Sequence, residues 1–197
     1  PIPAGESWIE AQDEMLVGLI DEAGIASDED GVACSFDGRI RLWQGDITTL
    51  AADAIVNAAN SQMLGCWAPG HHCIDNAIHT FAGVQLRLEC ARIMEGRGHG
   101  EPTGCAEITG AHNLPSKHVI HTVGPIANGR PTNQHRVQLS SCYKSCLDLA
   151  RENGLSSIAF CCISTGVFGF PQQEAAQIAV ETVRKWLDRT SAQMTVV

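Results

Sequence analysis

The chain has 197 residues, short enough for one hydrophobic core, and 44% hydrophobic against 18% charged residues is an ordinary balance for a soluble globular domain. A net charge of −9, with Lys and Arg scattered along the chain, argues against a nucleic-acid binder, whose affinity rests on clustered cations. No run of about 18 apolar residues is present, so no segment is suited to span a bilayer and no membrane partner is expected.

The N-terminal Pro1-Ile-Pro-Ala-Gly-Glu-Ser-Trp8 lacks the basic and apolar blocks of a signal peptide, and the missing initiator Met suggests a trimmed chain. Nine cysteines, an odd number in a domain large enough to do without disulfides, point to a reduced intracellular setting, the cytoplasm.

In chain order, Trp8, Ile9, Met15, Leu16, Leu19 and Ile20 fall at helical spacing within residues 6–25 and stop at Gly24. Asp28–Gly31 is an acidic turn, read as the joint between an N-terminal helical extension (1–38) and the main body (39–197). Strands are predicted at Ile40–Trp43, Asp53–Asn57, Cys105–Thr109, Lys117–Val123 and Ser157–Ile163. Helices are predicted over 74–96, 134–153 and 172–189, the last with Pro171 and Glu174 favourable at its start. Strands alternating with helices imply an α/β domain with a mixed sheet covered on both faces. Ligands in such sheets lie beyond the carboxyl ends of strands, which singles out Gly45–Thr48, Asn57–Asp75 and Ser164–Pro171.

Ser164-Thr-Gly-Val-Phe-Gly-Phe-Pro171 follows the most apolar strand and precedes a helix. Its glycines and hydroxyl residues allow backbone N–H groups to curl toward an anion, although a tight strand–helix turn has the same composition. Phe168 and Phe170 are candidates to pack on a sugar or base. Asp46 either caps a short helical turn or accepts a hydrogen bond from an exocyclic amine.

These segments together resemble the macrodomain family. The resemblance is carried by Gln44-Gly-Asp-Ile-Thr48, Asp53-Ala-Ile-Val-Asn-Ala-Ala-Asn60, Ile74-Asp-Asn-Ala-Ile-His-Thr-Phe-Ala-Gly83, the stretch from Gly104 to Pro125, and Ile163–Pro171. It spans residues 39–190 in the family's order. It implies a three-layer α/β/α fold that binds ADP-ribose. Asp46 and Ile47 would hold the adenine and Asn60 the distal ribose. Ser164, Thr165, Gly166, Val167 and Phe168 would wrap the diphosphate and distal ribose.

Within the family the chain is similar to MacroD-type hydrolases, which release ADP-ribose from mono-ADP-ribosylated proteins. It departs from them where Gly65-Cys-Trp-Ala-Pro-Gly-His-His-Cys73 replaces a short glycine-rich loop, as in zinc-containing microbial macrodomains. Cys66, His71 and Cys73 are then the expected Zn2+ ligands, and three protein ligands leave a fourth position open. By spacing alone, unliganded surface residues fit Cys-x4-His-x-Cys as well as zinc does. His72 is the rival ligand, facing away from the His71–Cys73 side. A cysteine nucleophile activated by His71 or His79 is a further reading.

Asp75 and His79, four apart, share a helix face. Asp75 is read as a helix-start carboxylate or, by the resemblance, as a catalytic partner of Asn60 near the scissile ribose. His79 is read as a core histidine, and His99, His118 and His121 are assigned no chemistry. An acyl link to Asp or Glu is the expected bond cleaved. A non-catalytic ADP-ribose reader, an esterase acting on O-acetyl-ADP-ribose and a metal-dependent hydrolase unrelated to ADP-ribose are the alternatives.

Overall fold

A computed structural model describes residues 4–68 and 70–197. Pro1–Pro3 of the predicted extension and Pro69 of the Gly65–Cys73 segment lie outside the described residues.

The order is α1 (Glu6–Ala23), β1 (Ala26–Ser27), a 3-10 turn (Asp28–Asp30), β2 (Val32–Cys34), β3 (Asp37–Leu42), a second 3-10 turn (Ile47–Thr49), β4 (Leu50–Ala51), β5 (Ala54–Ala59), α2 (Ile74–Ala82), α3 (Val84–Arg97), β6 (Ala106–Gly110), β7 (His118–Val123), α4 (Asn133–Glu152), β8 (Ser157–Ala159), α5 (Gln172–Thr190) and β9 (Thr195–Val196). Seven strands form one mixed sheet in the order β2-β3-β9-β8-β5-β7-β6, antiparallel at both edges and parallel between. β1 and β4 form a separate parallel pair.

Alternation along the central strands builds two cores, because neighbouring side chains on a strand point to opposite faces. Ile55 of β5 and Val119 of β7 pack with Ile20, Ile78, Leu86 and Cys90 under α1–α3. Val56 and Ile120, one residue on, pack with Leu139, Leu147, Trp186 and Leu187 under α4 and α5. The result is the expected three-layer α/β/α fold. α1 is tied to the same layer as α3 by Gln12 donating to Gln85 (2.8 Å) and by Asp13 accepting from Gln85 and Asn113. Among the described residues no helix is long and apolar enough to cross a membrane.

Three elements differ from the sequence expectation. The helix expected over 74–96 is two helices, broken at Gly83, whose φ of 88° is open to glycine. A Cβ there would lie 2.6 Å from Gln12 Nε2. The strand expected over 157–163 ends at Ala159. Phe160 N–H still reaches the Val197 carbonyl (2.8 Å), but Ile163 N–H turns back to that of Cys161 (2.9 Å), which launches the loop beyond. The sheet also starts ahead of residue 39: β2 pairs with β3, and β3 opens at Asp37. A three-residue strand carries too little alternation to be read from sequence.

Candidate active site

The chain leaves β5 directly into Asn60 and leaves β8 into the Ser164 loop, while α2 starts nearby at Ile74. Between them lies a cleft of about 480 Å³, within the usual size of small-molecule sites. Asn60, Cys66, His71, Cys73, Asp75 and all five loop residues from Ser164 to Phe168 line it. Cys161 and Cys162, which fall within the strand expected over 157–163, line it too.

Asp75 is 5% exposed at the first turn of α2, and its carboxylate is gripped by two asparagine amides. Asn57 donates to Oδ1 at 2.8 Å and Asn60 to Oδ2 at 3.3 Å. Asn60 also donates to the Gly65 carbonyl (3.1 Å) and accepts from Gln62 N–H (2.9 Å), so its amide is held in one orientation. Burial raises the Asp75 pKa, and the Asn57 hydrogen bond and the Arg87 charge pull it back down.

Cys66, His71 and Cys73 bring their ligand atoms within 4.8 Å of one another. Cys66 Sγ lies 3.2 Å from His71 Nδ1, and Cys73 Sγ, at the N-cap of α2, accepts from Asn76 N–H at 3.4 Å. Tetrahedral zinc with ~2.3 Å to sulfur and ~2.0 Å to nitrogen needs donors roughly 3.5–3.8 Å apart; the two thiols and the imidazole are the right donor types, and the 3.2 Å Cys66–His71 approach would open by a few tenths of an ångström around the ion. His72 is exposed and outside the cluster. Burial, with the Cys66 sulfur adding to it, raises the Cys73 pKa, the opposite of what activates a thiolate nucleophile.

In the second loop Ser164 adopts φ 65°, uncommon for a residue with a Cβ, and is 6% exposed, its hydroxyl without a partner among the described residues. Gly124 makes room for it: a Cβ at Gly124 would lie 2.0 Å from Ser164 Oγ. Gly169 N–H closes on the Gly166 carbonyl and Phe170 N–H on that of Ser164, both at 2.9 Å. Among the described residues nothing accepts from the N–H groups of Gly166, Val167 and Phe168, so three donors are left on a curled backbone suited to an anion. Phe168 lines the cleft, whereas Phe170, 2% exposed, belongs to the core under α4 and α5.

Asp46 and Ile47 are not in the cleft lining. Asp46 Oδ1 accepts from Thr48 N–H (2.9 Å) and Thr48 Oγ1 (2.8 Å), capping the second 3-10 turn, and Ile47 is buried under α1–α3.

Sequence reasoning missed a polar row beneath the cleft. Asn57 sits opposite His121 in the β5–β7 register, and Asn57 Nδ2 lies 3.1 Å from His121 Nδ1. Thr109 Oγ1 lies 3.0 Å from His121 Nε2. The available signal was parity: Asn57 shares its face with Ile55 and Ala59, a core row where an amide needs partners. His79 is buried as expected, but among the described residues neither ring nitrogen makes a hydrogen bond, Asp75 Oδ1 standing 3.6 Å from Nε2, and burial pushes its pKa down to about 4.

The Macro domain family model matches residues 56–179. A protein-ADP-ribose hydrolase of Treponema medium is 54% identical over 199 residues, covering all of this chain and 76% of that protein. The protein-ADP-ribose hydrolase of Staphylococcus aureus strain MSSA476 is 49% identical over 197 residues, covering all of this chain and 73% of its own length. Among solved structures, the Oceanobacillus iheyensis macrodomain with ADP superposes with a TM-score of 0.72 at 40% identity, covering 80% of each chain. The Trypanosoma brucei macrodomain in complex with ADP-ribose gives 0.73 at 37% identity, covering 87% of this chain and 69% of that one. A family match over most of the sheet, with relatives alike along the whole chain, places this protein in the macrodomain family.

Proposed function

We propose that the cleft binds ADP-ribose and that the protein hydrolyses the bond between the distal ribose C1″ and a protein side chain, with acyl-linked Asp or Glu as substrate. The observation that carries this reading is the Asp75 carboxylate, held by Asn57 and Asn60 at the floor of a cleft whose other wall offers unpaired backbone donors. The hydrolase names of two relatives alike over this whole chain, and the macrodomain structures with ADP and ADP-ribose, support it.

In this reading the N–H groups of Gly166, Val167 and Phe168 hold the diphosphate, so most binding energy is spent away from the reacting carbon. Ser164 and Thr165 complete that wall. Asp46 serves the adenine amine through Oδ2, since both of its internal bonds fall on Oδ1. Ile47, buried, contributes its backbone. Asn60 holds the distal ribose, and Asp75 orients the attacking water, whose hydroxyl goes to ADP-ribose and whose proton goes to the released side chain.

Cys66, His71 and Cys73 would hold Zn2+, three protein ligands where a closed structural site takes four. Bound there, zinc supplies a Lewis acid beside the distal ribose. The nine free cysteines suit a reducing cytoplasm. The test is a calorimetric titration with ADP-ribose, together with ADP-ribose release from Asp/Glu-, Ser- and Arg-linked substrates. Saturable binding with release from the acyl-linked substrate is expected. Binding with no release from any linkage makes the protein a reader and overturns the hydrolase reading.

A further inference from the structure

Resting on the hydrolase reading, we infer that His121 and Thr109 are positioning residues that fix which way the Asn57 amide faces and so hold the Asp75 carboxylate in place. A threonine hydroxyl has a single proton to donate. Thr109 Oγ1 donates that proton to the Val119 carbonyl (3.4 Å), leaving its lone pairs facing His121 Nε2 at 3.0 Å. Nε2 therefore carries the imidazole proton and Nδ1 is an acceptor. One Asn57 N–H donates to Nδ1 at 3.1 Å and the other to Asp75 Oδ1 at 2.8 Å.

The opposite amide orientation would set Asn57 Oδ1 against Asp75 Oδ1 and against the Nδ1 lone pair. The observed one leaves Asn57 Oδ1 buried without a partner. Two donor bonds, one to a carboxylate, outweigh that unmade acceptor bond. Burial, with the neighbouring His79 adding to it, holds His121 neutral, its pKa pushed down to about 3. Cys90 Sγ, at 3.8 Å from Nε2, is the weaker neighbour, and burial keeps its thiol protonated. Asn57 and His121 are fully buried and Thr109 nearly so, so none of the three reaches a ligand in the cleft.

Two measurements test the inference. Nitrogen-15 NMR of the wild-type protein reads the tautomer directly, and the Nε2–H form is expected at neutral pH. An Nδ1–H form or an imidazolium overturns the lock whatever the protein's activity. His121→Asn keeps an acceptor near the Nδ1 position, whereas His121→Phe keeps the ring but not the acceptor. His121→Phe is expected to lower kcat roughly 10- to 100-fold, the scale of a misplaced catalytic group, with ADP-ribose Kd within about twofold of wild type. His121→Asn is expected to recover most of that loss although it fills the site less well, an order that packing alone would reverse. Thr109→Val, which releases the far end of the lock, is expected to lower kcat in the same direction without changing Kd.

Unchanged kcat in His121→Phe, or parallel loss in His121→Asn and His121→Phe, overturns the positioning role while the hydrolase reading stands. A wild-type protein that cleaves no substrate removes the hydrolase reading, and with it the catalytic purpose of the lock.

Discussion

Lowering the pH from 7 to 5 exposes the cost of the buried imidazoles, and His79 lets that cost be measured. Its side chain is fully enclosed at 0% exposure, neither ring nitrogen makes a hydrogen bond among the described residues although Asp75 Oδ1 stands 3.6 Å from Nε2, and burial sets its pKa at about 4 against an ordinary 6.5. Because the folded pKa is the lower one, the stability it contributes is present above pH 6.5 and drains as the pH falls toward about 4. Over the roughly 1.5 units between 6.5 and 5, at about 1.4 kcal/mol per unit, the loss is about 2 kcal/mol. His121 adds a loss of the same sign, its pKa pushed down to about 3. Asp75 opposes both: its pKa is raised, so its contribution is regained as the pH falls. Urea unfolding of wild type and His79→Leu at pH 7 and pH 5 cancels the carboxylates and metal ligands remote from the site. The wild type is expected to lose about 2 kcal/mol more than the variant over that range. Equal losses would refute the claim that His79 is buried neutral.

Further substitutions probe the proposed site. Asp46→Ala removes the cap on Thr48 and is expected to cost about 1 kcal/mol of stability as well as ADP-ribose affinity. Asp46→Asn, which can keep the cap, separates the two effects in paired thermal melts and titrations. Gly124→Ala drives a Cβ into Ser164 Oγ, so ADP-ribose affinity should fall. Adding Ser164→Gly, which removes that hydroxyl and suits φ 65°, should restore the fold of the loop, read by thermal melting. Cys73→Ser should lower both zinc content by mass spectrometry and turnover. Loss of metal with turnover intact would make the ion structural.

Much of the fold was legible because the central strands alternate cleanly: Ile55 and Val56, like Val119 and Ile120, serve opposite cores. β1, β2, β4 and β9 were not, since strands of two or three residues have no period to read. The break at Gly83 is masked by apolar spacing that continues across it, and its two causes, a φ of 88° and the approach of Gln12, Gln85 and Asn113, show only in the folded chain. For the site, residue type marked both loops and the Cys66, His71, Cys73 cluster. The Asn57–His121 pairing was out of reach, because two residues 64 apart meet only through the β5–β7 register. Asp46 shows the converse limit: cap and ligand-binding carboxylate call for the same residue, and only the Thr48 contacts reveal that its Oδ1 serves as the cap.

The most direct test of the account is metal content and ADP-ribose release on one preparation, with acyl-linked mono-ADP-ribosylated protein, before and after chelation. The chelated protein is first checked for fold by circular dichroism and for ADP-ribose binding by titration. The account predicts about one zinc per chain, the number a single Cys2His site can hold, with release lost on chelation and restored by zinc. Release that persists in fully stripped, folded protein would contradict a role for zinc in the reaction, and no release with zinc and ADP-ribose both bound would contradict hydrolysis itself.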